Sequence, residues 1–448
     1  MASHDPSSSA PPANGTWRDH PLRAALTGEI HARPYPAILP PVRATHLAFA
    51  SGEDATDAER THVARLCAHL GADAPAADAT HFAHDFGDFS FLWERHTEFS
   101  TYTILVAGPF AAPFGGPQDE TPVSRPPADW IAGLPGERLV ATHVAFLGRD
   151  APAPDDERLA EWFDGNPIAG GGMLGGGARG WSDFRIHGDG FGRVLLHDVR
   201  LKEDQPGRLL QRVLEIETYG MMALLALPLA RRDGPRVSEI DRALTAAMDR
   251  MREASDADDE NRLLDELTRL SARLEAILAA NSYRFAAARA YHGLVERRLD
   301  ELREVRVEGR QPWKPFLDRR LTPAIRTCES LARREEALSR RLGRATGLLR
   351  TRINVTLERQ NRDLLASMNR RVRLQIRLQE TVEGLSVVAI SYYAVGLVGY
   401  AAKALAAAGV PVDPGVAQGI AILPVAAVAW FGIRRLRSVV TRRASDGA

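Results

Sequence analysis

Residues 384–402 have the sequence GLSVVAISYYAVGLVGYAA, and residues 415–433 have the sequence GVAQGIAILPVAAVAWFGI. Both stretches contain nineteen residues and no charged side chain. At about 1.5 Å of rise per residue, each would form a helix of roughly 28 Å, close to the ~30 Å hydrocarbon core of a bilayer. Neither has the polar face of a helix that covers a soluble core. We therefore predict two transmembrane helices, joined by an outside turn over residues 403–414.

Arginines flank both predicted spans. They are Arg370, Arg371, Arg373 and Arg377 before the first span, and Arg434, Arg435 and Arg437 after the second. Because basic residues resist translocation, both ends of the hairpin should stay in the cytoplasm. This pattern predicts a multi-pass protein of the cytoplasmic membrane, with residues 1–383 and the basic tail 434–448 on the cytoplasmic side. The alternative is a buried helical hairpin in a soluble domain.

The charges of the chain balance, with 57 basic and 57 acidic residues. A neutral chain has no general attraction for nucleic acid, so we predict no nucleic-acid partner. The two cysteines, Cys67 and Cys328, are far apart and in no metal-ligand spacing, which is typical of a reducing compartment. Residues 1–16 are polar and lack the apolar segment of a signal peptide, and we expect them to be disordered.

A proline-rich segment follows. Pro21, after the capping residue Asp19, is expected to open a short helix over residues 22–30. Four prolines then exclude helix and predict an extended strap over residues 30–42: Pro34, Pro36, Pro40 and Pro41. Four side chains of this region would be able to gather a metal ion, and the alternative is a purely structural strap. They are His20, Glu29, His31 and His46.

Three sequence words in this segment carry a family resemblance. They are HPLR (residues 20–23), EIHARP (29–34) and PVRATHLA (41–48). They resemble an uncharacterised bacterial family of membrane-anchored proteins, the domain of unknown function 3422. The resemblance runs through most of the chain and includes the terminal hairpin. It implies an anchor in the bacterial inner membrane, and it brings no known activity with it.

Residues 43–107 and 139–200 look like two copies of one unit. THLAF (45–49) recurs as THVAF (142–146), and a Glu-Arg pair opens an amphipathic stretch later in each copy. Each copy then alternates with period two, the mark of a half-buried strand. We predict a duplicated β-α-β-β unit within an α/β domain over residues 17–204, with Phe49 and Phe146 at matching core positions. Chance similarity of two short strands is the alternative.

Two motifs in the second copy invite a chemical interpretation. The run GGGMLGGG (170–177) lacks the Lys-Ser/Thr of a Walker loop and predicts a flexible loop rather than a phosphate cradle. The densest cluster of acid–base groups consists of His187, Asp189, His197 and Asp198. It lies in and beside a tight turn, where Gly and Asp are expected for backbone reasons alone. No nucleophile elbow or His-Glu-x-x-His helix is present in the sequence. We therefore predict no enzyme and no cofactor, with catalysis at this cluster as the alternative.

The pattern from residue 205 to 383 is helical and predicts a helical bundle or stalk. Residues 209–229 are apolar but interrupted by Glu215 and Glu217, which favours burial in that bundle over membrane insertion. Leucines with 4-3 spacing between residues 263 and 302 have the pattern of a coiled-coil seam. After a break at residues 310–315, a second long helix is expected to run without interruption into the first span. The apolar side chains of these helices would either pack within one chain, as in a helical bundle, or form the contacts of a homo-oligomer through the stalk.

The complete layout is an α+β cytoplasmic domain of duplicated β-α-β-β units, then long helices, then a two-helix transmembrane hairpin in the lipid bilayer. It is similar to that of the CorA-type magnesium channels, which are pentamers. That family has Gly-Met-Asn at the end of its first span, where residues 398–403 of this chain are VGYAAK. The first functional hypothesis is a homo-oligomeric ion channel or transporter, and the second is a membrane-anchored cytoplasmic interaction module.

The first span contains a candidate pore stripe of three hydroxyl side chains. Ser386, Tyr393 and Tyr400 are seven residues apart, nearly two helical turns, and therefore lie on one side of a helix. Asn361 and Asn369 are the candidate vestibule residues below it. The alternative is packing, with Ser386 bonded to its own backbone, Tyr393 against the second span and Tyr400 in the aromatic belt.

Overall fold

A computed structural model describes residues 19–31, 35–116, 119–254, 256–409 and 411–445. The segment predicted to be disordered, residues 1–16, lies outside these ranges. The chain divides into two compact units. The first unit holds the described residues up to Asp249 together with Glu266–Arg344, and the second holds Arg250–Asp265 and the described residues from Ala345 onward. The predicted order of an α+β region followed by long helices is confirmed.

The first unit contains an eight-stranded mixed sheet. Its strands are β1 (Val42–Ala50), β2 (His81–Asp85), β3 (Ser90–Arg95), β4 (Phe99–Ala107), β5 (Glu137–Leu147), β6 (Ala169–Met173), β7 (Ala178–Ser182) and β8 (Gly192–Asp198). Their spatial order is β2-β3-β4-β1-β5-β8-β7-β6. All neighbouring strands are antiparallel except β5 and β8, which are parallel.

Nine α-helices accompany the sheet in the described ranges. They are α1 (Arg23–His31), α2 (Thr56–Leu70), α3 (Ala128–Ala132), α4 (Asp156–Trp162), α5 (Gln205–Leu224), α6 (Ala226–Glu253), α7 (Ala257–Glu301), α8 (Trp313–Ala407) and α9 (Pro414–Ser445). Short 3-10 turns lie at Glu53–Ala55 and Pro122–Ser124. α8 is one helix of 95 residues that includes the whole apolar stretch 384–402.

The two sequence copies share their order of elements but not their strand directions. Each has a strand, a helix and three further strands, one strand more than predicted. The first strands pair at the centre of the sheet, where Thr45 faces His143 and His46 faces Thr142. However, β4 runs antiparallel to β1, whereas β8 runs parallel to β5. The prediction that both copies superpose as one β-α-β-β unit is therefore wrong.

Phe49 and Phe146 also occupy different surroundings. Phe146 is buried in a core cluster that includes α5 residues, such as Leu209 and Val213. Phe49 is only half-buried and packs edge-on against Tyr102 in a second cluster, with ring centroids 5.9 Å apart. A register shift in the pairing of β1 with β5 lies next to Phe49 and has no counterpart at Phe146. The prediction that Phe49 and Phe146 occupy matching core positions is therefore wrong.

Long helices belong to the same unit as the sheet. One buried cluster joins strand residues such as Val194 to Leu210 of α5, Leu299 of α7 and Trp313 of α8. Trp313 is fully buried, and its indole nitrogen donates to the carbonyl oxygen of Ala169 in β6 at 3.3 Å. The predicted boundary at residues 204/205, between an α/β domain and a helical bundle, is therefore not a boundary between compact units.

The first half of the glycine run predicted as a flexible loop, residues 170–173, lies in a buried strand, and residues 174–177 form the turn to β7. β6 consists of Ala169–Met173, and all five of its residues are buried. Its outer edge is covered by the chain between α7 and α8: Gly172 exchanges two backbone hydrogen bonds with Val305, and Gly170 donates to Gln311. A Cβ at Gly171 would lie 3.2 Å from the Val305 carbonyl oxygen, so this close approach requires a small residue. These amide groups are already bonded and do not form a phosphate cradle.

The proline-rich segment lies against the start of α5. The predicted strap began at residue 30, but Ile30 and His31 belong to α1, so this part of the prediction is wrong. Residues 35–39 have no regular structure, as expected for a strap, and residues 32–34 lie outside the described ranges. The Arg208 guanidinium stacks over Tyr35 at 4.7 Å and donates to its hydroxyl at 2.7 Å. A Cβ at Gly207 would overlap the carbonyl oxygen of Pro36. Glycine is thus required where the strap meets α5.

Candidate functional site

Three helical stretches of the described residues are long and apolar enough to cross a membrane: Gln205–Glu253 (α5 with α6), Trp313–Ala407 (α8) and Pro414–Arg435 (in α9). In the first stretch, half of the most apolar 18-residue segment is buried. In the other two, the corresponding segments are almost entirely exposed, with 11% and 6% of them buried. The start of the first helix packs in the core described above. The exposed apolar stretches of α8 and α9 are therefore the candidate membrane region.

One side of α8 carries a line of apolar and hydroxyl side chains. At about 100° per residue, eight positions between 357 and 400 fall within about 40° of one another; seven of them carry apolar or hydroxyl side chains, and the eighth is Gln375. We call the seven the α8 stripe: Leu357, Leu364, Met368, Val382, Ser386, Tyr393 and Tyr400. The predicted pore stripe, Ser386, Tyr393 and Tyr400, forms its last part. The stripe thus continues from the charged segment of the helix into the apolar one.

The large side chains of the α8 stripe are exposed within the second unit. Their exposed fractions range from 51% for Leu357 to 73% for Tyr393 and Tyr400. The opposite side of segment 357–382 carries arginines: Arg359, Arg362, Arg370, Arg373 and Arg377. This segment is therefore an amphipathic helix with an exposed apolar face, and a helix in water normally buries such a face.

α9 covers the side of α8 that faces away from the stripe. A Cβ added to Gly399 would lie 2.9 Å from the side-chain amide carbon of Gln418 in α9, so the two helices approach closely there. Ala402 is only 4% exposed and lies two residues after Tyr400, about 200° further around the helix. In this hairpin, α8 has one covered side and one exposed side.

The structure separates the predicted pore residues by their surroundings. Ser386 Oγ donates to the carbonyl oxygen of Val382 at 2.9 Å, a hydrogen bond within its own helix. Tyr393 lies edge-on to Tyr392, and the Lys403 ammonium is 5.9 Å from the centre of the Tyr400 ring. Of the three predicted pore residues, Ser386 is therefore the one whose hydroxyl bonds to the backbone of its own helix.

The two candidate vestibule residues do not lie together. Asn361 is about 40° from Leu357 and borders the α8 stripe, whereas Asn369 is about 80° further around the helix. Both side chains are exposed. The structure therefore places only Asn361 beside the stripe.

A groove between α8 and α9 contains polar groups that the sequence pattern did not reveal. The groove has a volume of about 980 Å³, and its lining includes Tyr393, Tyr400, Lys403 and Gln418. Ser391 Oγ is buried there without a hydrogen-bond partner among the described residues. The seven-residue spacing selected Tyr393 and Tyr400 of this lining, but it missed Ser391, which lies about 160° around α8 from Tyr393. The lone amide in the second apolar stretch was the available signal for Gln418.

The arginines used for the topology prediction lie on the two helices that carry the apolar stretches. Arg370, Arg371, Arg373 and Arg377 are exposed on α8, and Arg434 and Arg435 are exposed on α9. The Arg434 guanidinium lies 5.0 Å from the centre of the Trp430 ring. Arg437 is part of α9, but its side chain is outside the described set. Their effect on topology stays a prediction.

The acid–base cluster predicted around the tight turn is divided between the two ends of β8. His187 lies before the strand, between two carboxylates: its Nδ1 is 2.7 Å from Asp164 and its Nε2 is 3.0 Å from Asp183. At the other end, His197 donates to the Ala151 carbonyl oxygen at 3.0 Å. Asp198 accepts from the Leu201 amide. The four residues do not form one site.

The candidate metal ligands of the strap region are not brought together in the described part of the chain, which contains no group of three or more metal-ligating side chains. His46 is buried between Thr103 and Thr218, with its ring nitrogens 2.8 Å and 3.0 Å from their hydroxyls. Burial lowers the pKa of His46 to about 3, so the ring is neutral near pH 7. The side chains of Glu29 and His31 lie outside the description.

Comparison with known proteins gives one family match. A family described as "Protein of unknown function (DUF3422)" matches residues 18–440. No curated protein and no solved structure matches the chain.

Proposed function

The chain belongs to the DUF3422 family, and we propose that it is a self-associating membrane anchor that presents its α+β unit as a binding module at the cytoplasmic face of the bacterial inner membrane. The observation that carries this proposal is the two-sided geometry of α8. α9 packs on α8 near Gly399, and the large side chains of the α8 stripe are exposed, including Tyr393 and Tyr400, which also line the groove beside α9.

A second copy of the chain is the partner that best fits the α8 stripe. Copies anchored in one membrane hold their α8 helices parallel and at the same height, so identical residues meet. Leu364 would then meet Leu364, and Met368 would meet Met368, as in the seam of a parallel coiled coil. Burial of each such side chain stabilises the assembly by about 1.5–3 kcal/mol. The arginines on the opposite side keep their charges in water.

The topology of the anchor is tested with reporter fusions. A reporter inserted at Leu405 is expected outside the cytoplasm, and one fused after Ala448 is expected inside, because arginines flank both apolar stretches. Paired phosphatase and fluorescent-protein fusions distinguish the two compartments. A fusion after Arg344, before the apolar stretches, provides the cytoplasmic control. A cytoplasmic signal at Leu405 would contradict the membrane hairpin.

Ion conduction along the axis of the assembly is the second candidate function. The observation that favours it is that Tyr393 and Tyr400 continue the line of Leu364 and Met368. Self-association through the α8 stripe would bring these hydroxyls to a common axis, with α9 on the outside. This arrangement is similar to the predicted CorA-like layout, although the Gly-Met-Asn motif is missing.

Conduction is tested by cation flux in reconstituted vesicles. This candidate predicts flux above that of empty vesicles, and a clear loss in Tyr393→Phe because an axial hydroxyl is removed. Ala366→Glu, on the opposite side of α8, provides a control variant that should retain the flux. Wild-type flux equal to that of empty vesicles would eliminate this candidate and leave the anchored binding module.

A further inference from the structure

A cavity in the first unit lies between the sheet and α5. Its volume is about 230 Å³, several times the ~30 Å³ that one water molecule occupies in the liquid and somewhat below the range of pockets for drug-sized ligands. The lining comes from β5, from the chain between β7 and β8, and from α5. Its size fits a small organic molecule.

One carboxyl group in this cavity has no partner in the described part of the chain. Glu217 of α5 lines it, is half-buried, and forms no hydrogen bond or ion pair with any residue that the structure describes. Burial, together with the nearby carboxylate of Asp183, raises the pKa of Glu217 to about 7. Asp183 itself accepts from the Asn166 amide and the Arg185 backbone amide, and it lies 3.0 Å from His187 Nε2. A cationic group placed at Glu217 would therefore gain a charge-assisted hydrogen bond that the protein leaves unmade.

Two arginines of the same lining have no anionic partner among the described residues. Arg138 and Arg185 are exposed, and the Arg138 guanidinium lies 5.6 Å from the centre of the Phe191 ring. Arg193, the third arginine of the lining, is already paired with Asp164 and Asp189. The side chains that complete the lining are largely apolar and include Leu139, Val140, Phe184, Ile186 and Met221. The cavity thus combines one unpaired acid, two unpaired bases and an apolar wall.

We propose that this cavity binds a small molecule with an ammonium group at one end and an acidic group at the other. Glu217 holds the ammonium group, Arg138 and Arg185 hold the acidic group, and the apolar wall contacts the carbon chain between them. This site gives the α+β unit a ligand of its own, independent of how α8 assembles.

The charges around Glu217 also set the pH dependence of binding. The charged residues that face the cavity or act on Glu217 are Asp183, Arg138, Arg185 and Arg193. An ammonium group replaces the proton of Glu217, so binding requires the ionised carboxylate. With a pKa of about 7, affinity should rise about tenfold between pH 6 and pH 8. The ammonium of the probes stays protonated throughout this range.

The experiment is isothermal titration of the full chain in nanodiscs with 4-aminobutanoate, 5-aminopentanoate and 6-aminohexanoate. Pentylamine and pentanoate serve as probes that carry only one of the two charged groups. We expect at least one amino acid to bind at least tenfold more tightly than either of them. Glu217→Gln should weaken that binding at least tenfold and remove its pH dependence. Arg138→Gln with Arg185→Gln should remove the advantage over pentylamine.

Two surface substitutions provide matched controls. Glu203→Gln and Arg326→Gln change the same charges at exposed positions outside the cavity and should leave the affinity unchanged. Glu217→Gln is nearly isosteric, and its unchanged thermal melting at pH 6 would show that the variant folds. Absence of binding by all three amino acids at 10 mM would overturn the proposal, as would equal binding by wild type and Glu217→Gln.

Discussion

Replacement of Glu59 by alanine is expected to lower the free energy of unfolding of the first unit by about 3–5 kcal/mol. Glu59 in α2 is fully buried and pairs with Arg95 of β3 at 3.2 Å, and the Arg95 side chain is only 5% exposed. Glu59 also accepts from the Ser100 hydroxyl. Without it, Arg95 keeps neutral acceptors such as the Gly52 and Thr97 carbonyls but loses the buried carboxylate that pairs with its guanidinium.

Urea unfolding followed by tryptophan fluorescence measures this loss. Asp57→Ala is the matched control, because Asp57 lies on the same helix and its ion pair with Arg60 is exposed, with 93% of the Asp57 side chain in water. The control should change the free energy by less than about 0.5 kcal/mol. Replacing Arg95 by methionine in the Glu59→Ala background should recover part of the loss, since no buried charge remains. Equal effects of Glu59→Ala and Asp57→Ala would refute the role of this buried pair.

Glutamate at both Leu364 and Met368 is expected to dissociate the proposed assembly into monomers. The two side chains are 59% and 54% exposed and lie one turn apart on the α8 stripe. Two facing copies of the double variant would place four carboxylates in one interface, where like charges repel and lose their hydration. Light scattering coupled to size exclusion should therefore show a protein mass that falls from a multiple of 49.0 kDa to 49.0 kDa.

Ala366→Glu separates this effect from a general effect of added charge. Ala366 lies between the two positions in sequence but about 160–200° from them around α8, on the arginine side. Its variant should keep the mass of the wild type, and circular dichroism should show the same helix content in all three proteins. A wild-type mass of 49.0 kDa would remove the basis of self-association through the α8 stripe.

Local sequence patterns predicted the long helices well. The features that they failed to predict depend on contacts between residues that are distant in the sequence. The long uninterrupted helix through residue 383 follows from apolar spacing and the lack of a breaker, which are properties of neighbouring residues. The Glu-Arg pairs show the limit of such reasoning. Glu59 and Glu157 each begin a Glu-Arg pair that follows one of the two similar strand sequences, THLAF and THVAF. Nevertheless, Glu59 is buried against Arg95, whereas Glu157 is exposed. The partner that makes the difference lies 36 residues away from Glu59.

Glycine propensity misled the interpretation of residues 170–177 for a similar reason. Glycine is depleted in strands because it offers no side chain to pack, so the run predicts a loop. In the structure, the chain near Val305 lies so close to β6 that a side chain would interfere. Glu217 shows the same limit at the candidate ligand site. Its charge within an apolar stretch predicted burial of that helix, but only the fold shows that it lines a cavity.

The cover on the outer edge of β6 has a consequence for biosynthesis. β6 ends at Met173, whereas the covering segment extends to Gln311, 138 residues later (311 − 173 = 138). At about 5–20 residues per second, a ribosome needs about 7–28 s to make that interval. During this time the growing chain has an unpaired strand edge that a neighbouring nascent chain on the same messenger RNA would be able to join. Three consecutive glycines give that edge little propensity for such pairing, so the same residues that admit the late segment also protect the unfinished chain.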